Sequence, residues 1–186
     1  MRHLLLPLVT YMVILPVALS FEVIAKLLSP ILPMFSRDGY GRVNNNNGWD
    51  VGPRLPRWLS WFDTPDNSLH GDEGWKTIHC PKYWNTYLGK ALWLFRNSAT
   101  GFSRSVLART AYKSDTTYSG NLDIAPEQPG VFGSLLVTDG NIFQFKKVFR
   151  LGNKNIGINL GWQMNTMLSQ DKLFDTCFYK SSIKIK

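Results

Sequence analysis

Cysteine is scarce in this chain. Cys80 and Cys177 are the two present, which permits one disulfide or two free thiols and excludes both a disulfide scaffold and a four-cysteine metal site. Nothing else demands oxidation, so two unpaired thiols, at least one of them buried, is the favoured reading. Charge is also sparse: Asp, Glu, Lys and Arg make up 18% of the 186 residues, against roughly 25% in ordinary soluble domains. Acids are the scarcer sign, 13 against 21 Lys and Arg, for a net charge of +8. That balance favours anionic partners such as lipid headgroups, nucleic acid or acidic glycans. Short catalytic motifs are missing too. The chain has no G-x-S-x-G, no phosphate-binding loop, no H-E-x-x-H and no Rossmann glycine set, so no motif-borne hydrolase, NTPase, zinc-protease or dinucleotide chemistry is implied. Neither a cofactor nor a catalytic residue is assigned.

Apolar residues are plentiful. At 44% hydrophobic and 13% aromatic content the chain has material for a core, which excludes disorder over its whole length. From Leu4 to Phe21 it is apolar except for Thr10, Tyr11 and Ser20, and carries no charge. As a helix this stretch rises about 27 Å, close to the roughly 30 Å of a bilayer's hydrocarbon. Pro7 and Pro16 suit a bilayer helix better than a soluble one, and the Tyr11 hydroxyl needs a partner. An uncleaved anchor is favoured over a cleavable secretory signal ending at Ala18-Leu19-Ser20 and over a buried core helix. Glu22 and Lys26 are spaced to pair. The apolar run continues to Phe35, interrupted by Pro30 and Pro33. Lys26, Arg37 and Arg42 beyond the segment outnumber Arg2 before it, which leans toward a cytoplasmic C-terminal domain.

Residues 36–53 read as a linker, rich in Gly and Asn. Next, Leu55, Trp58, Leu59 and Phe62 recur at i, i+3, i+4 and i+7, the period of one helical face. With Arg54, Arg57 and Trp61 they make a candidate membrane-interface element: Trp58, Trp61, Phe62, Arg54 and Arg57. The bland alternative docks this stripe on its own domain. The acidic loop from Asp63 through Asp66, Asp72 and Glu73, followed by His79 and Cys80, allows a cation site or a catalytic pair built on His70, Asp72, His79 and Cys80. A capping loop of Asx turns is the favoured reading.

A helix is predicted from Pro81 to Arg96 and a short turn near Val106. Between Lys76 and Lys113 there is no acid. Lys90, Arg96, Arg104, Arg109 and Lys113 are therefore a candidate basic surface, interleaved with Trp93, Phe95 and Phe102, which would serve for stacking bases, although a helix with a solvated cationic face is the favoured reading. The period then changes to two. Leu135–Val137 and Ile142–Phe145 flank an Asp-Gly turn, and Ile156, Ile158, Leu160 and Trp162 alternate with Gly157, Asn159, Gly161 and Gln163 as in a half-buried antiparallel strand. A last strand, 174–179, precedes a basic tail.

The run Leu55-Pro56-Arg57-Trp58-Leu59-Ser60-Trp61-Phe62-Asp63-Thr64-Pro65-Asp66-Asn67, with Gly71-Asp72, Gly74-Trp75, Trp93-Leu94-Phe95-Arg96-Asn97 and Asn159-Leu160-Gly161-Trp162, resembles a family of small uncharacterised proteins of tailed bacteriophages. The resemblance covers most of the chain and implies a phage origin. It carries no assigned activity, so no functional residue transfers.

The sequence thus predicts an α+β protein: a membrane anchor over 1–35, a linker over 36–53, and a basic aromatic-rich domain over 54–186. That domain holds two or three helices and an antiparallel sheet of four or five strands. The expected function is non-enzymatic, a binding or structural role of a membrane-anchored phage protein in the host inner membrane or in the virion. Its expected partners are membrane lipid and other phage or host envelope proteins. A nucleic-acid-binding module and an envelope-acting hydrolase are the alternatives.

Overall fold

The computed structural model describes residues 2–38, 42–44, 48–50, 52–65, 67–121, 133–164 and 174–185. Parts of the expected linker (39–41, 45–47 and 51), Asp66 and Lys186 lie outside the described residues, as does the side chain of Lys113. The fold is α+β, as the change of period predicts. Helix α1 spans Arg2–Leu28 without a break at Pro7 or Pro16. The chain then divides into two compact units, one of Met1–Val17 with Leu107–Lys186 and one of Ala18–Val106.

In the second unit the segment expected to be a linker is partly regular. Strands β1 (Arg42–Asn44) and β2 (Gly48–Asp50) pair antiparallel, and Arg37 bridges Arg54. Where a helix was expected over 55–62 there is a 3-10 turn, Arg57–Leu59. The expected stripe splits: Leu55 and Leu59 enter the core, while Trp58 is 71% exposed. A π-turn follows over Trp75–His79. Helix α2, Tyr87–Arg96, starts later than Pro81 because Thr86 caps it, its hydroxyl accepting from the Gly89 N–H. Helix α3, Thr100–Ser105, precedes the turn expected near Val106. Leu32, Leu55, Leu69, Trp75, Trp93 and Leu94 belong to one buried cluster.

The first unit is built on strands. Strand β3 (Thr110–Ala111) pairs with β8 (Phe174–Asp175). The five-stranded antiparallel sheet has the order β4-β5-β6-β7-β9, with β4 Thr117–Gly120, β5 Ser134–Thr138, β6 Phe143–Leu151, β7 Lys154–Gln163 and β9 Cys177–Ile185. β9 runs through most of what reads as a basic tail. β5 and β6 join through the expected Asp139-Gly140 turn, with Gly140 at positive φ. The ladder of β7 and β9 shifts register between Asn159 and Gly161. Gly161 sits there at φ +87, with the Phe143 carbonyl where a Cβ would stand. It marks a bulge.

Two outcomes follow. Gly161→Ala meets both a left-handed φ and a backbone carbonyl, so it should cost more than about 3 kcal/mol in chemical denaturation. Gly152→Ala, at φ +59 with nothing within 4 Å, should cost about 1 kcal/mol. Equal costs would contradict the close approach.

The turn residue Asp139 is 4% exposed, and its carboxylate accepts from the Tyr112 N–H at 2.8 Å. Burial pushes its pKa above the ordinary 3.8, the Tyr112 bond opposes this, and Asp115 adds to it. A carboxyl whose folded pKa is raised favours the folded state at low pH, and that advantage fades as pH climbs from the unfolded value through the folded one. Stability of the wild type should therefore fall relative to Asp139→Asn as pH rises above about 4 and then level off. A wild-type-minus-variant difference flat from pH 4 to 7 in urea titrations would refute the assignment.

Candidate functional site

Helix α1 is apolar on every side, and a helix of that kind must be covered all round by protein or lipid. Among the described residues each unit covers its part of the helix incompletely. In the first unit Pro7 and Tyr11 are buried and Ile14 half-buried; in the second Ala18, Ala25 and Ser29 are buried and Phe21 and Leu28 half-buried. Within the first unit Tyr11 sits among Phe143, Trp162 and Phe178, at ring distances of 5.5, 6.0 and 5.2 Å. Its hydroxyl is hydrogen-bonded to the Gly161 backbone, which supplies the partner that a mid-helix phenol needs. The Trp162 indole donates to the Leu107 carbonyl at 2.9 Å. Within the second unit Phe21 stacks on Phe102 at 4.1 Å and on Phe62 at 4.9 Å. Ala18 and Ala25, 0% and 2% exposed, keep the seam shallow enough for close approach. The predicted Glu22–Lys26 pair forms at 2.8 Å.

The rest of α1 is uncovered. Leu5, Val9, Val13, Val17, Val23 and Leu27 are all exposed. Among the described residues one helix, Leu4–Leu28, is long and apolar enough to cross a membrane, and it is mostly exposed.

Helix α2 adds a second apolar surface that periodicity alone did not single out. Ala91, Trp93 and Leu94 face inward, whereas Leu88, Leu92 and Phe95 are exposed at i, i+4 and i+7. α2 lies beside the end of α1: the Tyr87 hydroxyl donates to the Pro30 carbonyl at 2.5 Å, and the Lys26 ammonium stands 5.9 Å from the Phe95 ring centre. The readable signal was a helix with apolar residues on two faces and one core to fill.

The candidate interface residues separate. Trp58 is exposed against Phe35 at 5.7 Å, and Arg57 and Trp61 are exposed as well. Phe62 is half-buried under Phe21. Arg54 is no surface residue. It is 1% exposed, donates to the Thr64 carbonyl at 3.0 Å, and lies 4.0 Å from the Asp63 carboxylate.

Asp63 is equally buried and accepts from the Leu55 and Thr64 N–H groups at 3.3 and 2.8 Å. Its carbonyl accepts from Gly101 N–H, and that of Trp61 from Phe102 N–H, both at 2.9 Å. The Thr64 hydroxyl takes the Trp93 indole N–H at 3.1 Å. Asp72 accepts from the Trp75 N–H at 2.7 Å, as a helix cap does. His70 packs edge-on to Trp84 and His79 tilts on Trp75. Among the described residues, no three His, Cys, Asp or Glu side chains gather to hold a metal ion. Both cysteines are free, Cys80 buried and Cys177 half-buried.

The candidate basic residues divide between the units, Lys90, Arg96 and Arg104 in one and Arg109 and Lys113 in the other. Arg96 lies over the Trp75 ring at 5.5 Å. Trp93 and Phe102, proposed for base stacking, are 3% and 7% exposed because they fill the core. Phe95 alone of the three reaches the surface.

These features define an α+β protein with a long, mostly exposed apolar helix. The chain belongs to the family of unknown function DUF7338, which matches residues 2–186. No curated protein and no solved structure matches it.

Asp63 holds a buried cation and two backbone amides, so Asp63→Ala should destabilise by about 3–5 kcal/mol. Asp72→Ala removes an exposed cap and should cost about 1 kcal/mol. Equal effects in denaturant titrations would show that Asp63 is not the keystone.

Proposed function

We propose that this is a membrane-attached protein with a non-enzymatic binding or structural role. The observation that carries this reading is the uncovered apolar flank of α1. An exposed apolar surface of this extent on a folded protein marks a contact with lipid or with another protein. Lipid is favoured because α1 carries no charge from Leu4 to Phe21 and because the net charge of +8 suits anionic headgroups. The α2 stripe and Trp58 beside Phe35 support the same reading, since an indole belongs at the water–lipid boundary. The resemblance of the tryptophan-rich run to tailed-phage proteins supports a phage protein that acts in the host inner membrane or is carried in the virion.

The way α1 is held bears on how it meets the bilayer. α2 rises only about 15 Å, half of what a crossing needs, so its stripe fits contact at the interface. The first half of α1 rests on a sheet that carries Lys146 and Lys147, and such side chains resist the hydrocarbon core. While docked, the first half of α1 therefore lies along the surface with its outer flank down. Crossing requires it to release Tyr11 and Phe21 from their aromatic nests.

Flotation of the full-length chain with phosphatidylglycerol–phosphatidylethanolamine vesicles tests this. The wild type should float, and Val13→Glu with Leu27→Glu should reduce the bound fraction more than tenfold without altering the circular dichroism. Recovery of the wild type as a soluble monomer indifferent to vesicles rejects the reading.

A further inference from the structure

The first unit contains a groove of about 380 Å³ between α1 and the sheet. We propose that it holds one acyl chain of a membrane lipid; the proposal rests on the membrane attachment argued above. One wall is a helical face, Leu4, Leu8, Tyr11 and Met12. The other is a row across three strands, Leu136 opposite Phe145 and Phe145 opposite Leu160. Apart from the Tyr11 hydroxyl, which already bonds the Gly161 backbone, these walls offer only hydrocarbon and a thioether. A sugar, nucleotide or ion would lose its water and gain no partner there.

The size points the same way. An apolar cavity of ~150 Å³ stays dry and takes up benzene, and this groove has more than twice that volume. Its mouth names the source of the occupant. Leu8 and Met12 line the groove and are also 47% and 59% exposed, so it opens on the flank of α1 that faces lipid. A chain entering from the bilayer gains little by transfer, because it leaves one apolar medium for another. The gain lies in dispersion contacts for walls that would otherwise face a void.

Vesicles of phosphatidylglycerol doped with a phosphatidylcholine bearing a diazirine at the end of one acyl chain distinguish the cases. After flotation and irradiation, adducts are mapped on the full-length chain by mass spectrometry. The expected adducts lie on Leu136, Phe145 or Leu160, sheet residues apart from the helix flank, as well as on α1. Leu160→Trp, which fills the groove, should cut sheet labelling at least fivefold and leave flotation unchanged; if it does not fold, Leu8→Trp fills the same space from the helix side. Adducts confined to α1 and α2 on a protein that floats would overturn the groove while sparing membrane attachment. A protein that neither floats nor labels overturns both.

Discussion

A helix apolar around its whole circumference has more greasy surface than one seam can hide, and this constraint governs the protein. Tyr11 and Phe21 are the two large side chains of α1 that find aromatic nests, and Ala18 and Ala25 are small enough to let the backbone settle between them. Every other turn of the helix presents Leu, Val, Ile or Met outward. The protein has ring-lined sites ready for Tyr11 and Phe21, so α1 is a part of the fold. In an ordinary signal segment or single-pass anchor, the residues facing the rest of the chain have no reason to differ from those facing lipid. Here they do differ, in size and in partners.

Packing explains part of the tryptophan-rich run that follows, although Trp58 and Trp61 are exposed. Asp63 and Thr64 organise it: one carboxylate satisfies two backbone amides beside a buried guanidinium, and one hydroxyl accepts the Trp93 indole. Gly101 brings α3 against this turn so closely that any side chain there would strike the Ser60 carbonyl. Removing a buried ion pair's partner is far more damaging than never having had the pair. A specific string of residues can thus be needed for architecture, and in the acidic loop Asp63 and Asp72 accept from backbone amides.

Much of the architecture was legible in the sequence because two periods are written plainly. The unbroken apolar run gave α1, the Asp-Gly turn and the alternation of Ile156 to Trp162 gave the central hairpins, and Glu22 with Lys26 gave their ion pair. β4 was not legible, since Thr117, Tyr118, Ser119 and Gly120 are all exposed and an edge strand buried on neither face has no alternation. The end of β9 reads as a tail because Lys180 and Lys184 hide strand character behind charge. The site was legible in part. The long apolar helix and the exposure of Trp58 were visible, whereas the inward turn of Arg54, Trp93 and Phe102 depends on partners distant in sequence. The exposed stripe of α2 was masked by its own buried stripe, because a local pattern does not say which of two apolar faces the core will accept.

The seating of Tyr11 has a consequence for biosynthesis. Phe143, Trp162 and Phe178 are all encoded more than a hundred residues after it. At ~5–20 residues per second the ribosome delivers the first half of α1 on the order of ten seconds before its aromatic nest exists. During that interval the first half of α1 lacks the rings that surround Tyr11 in the folded protein.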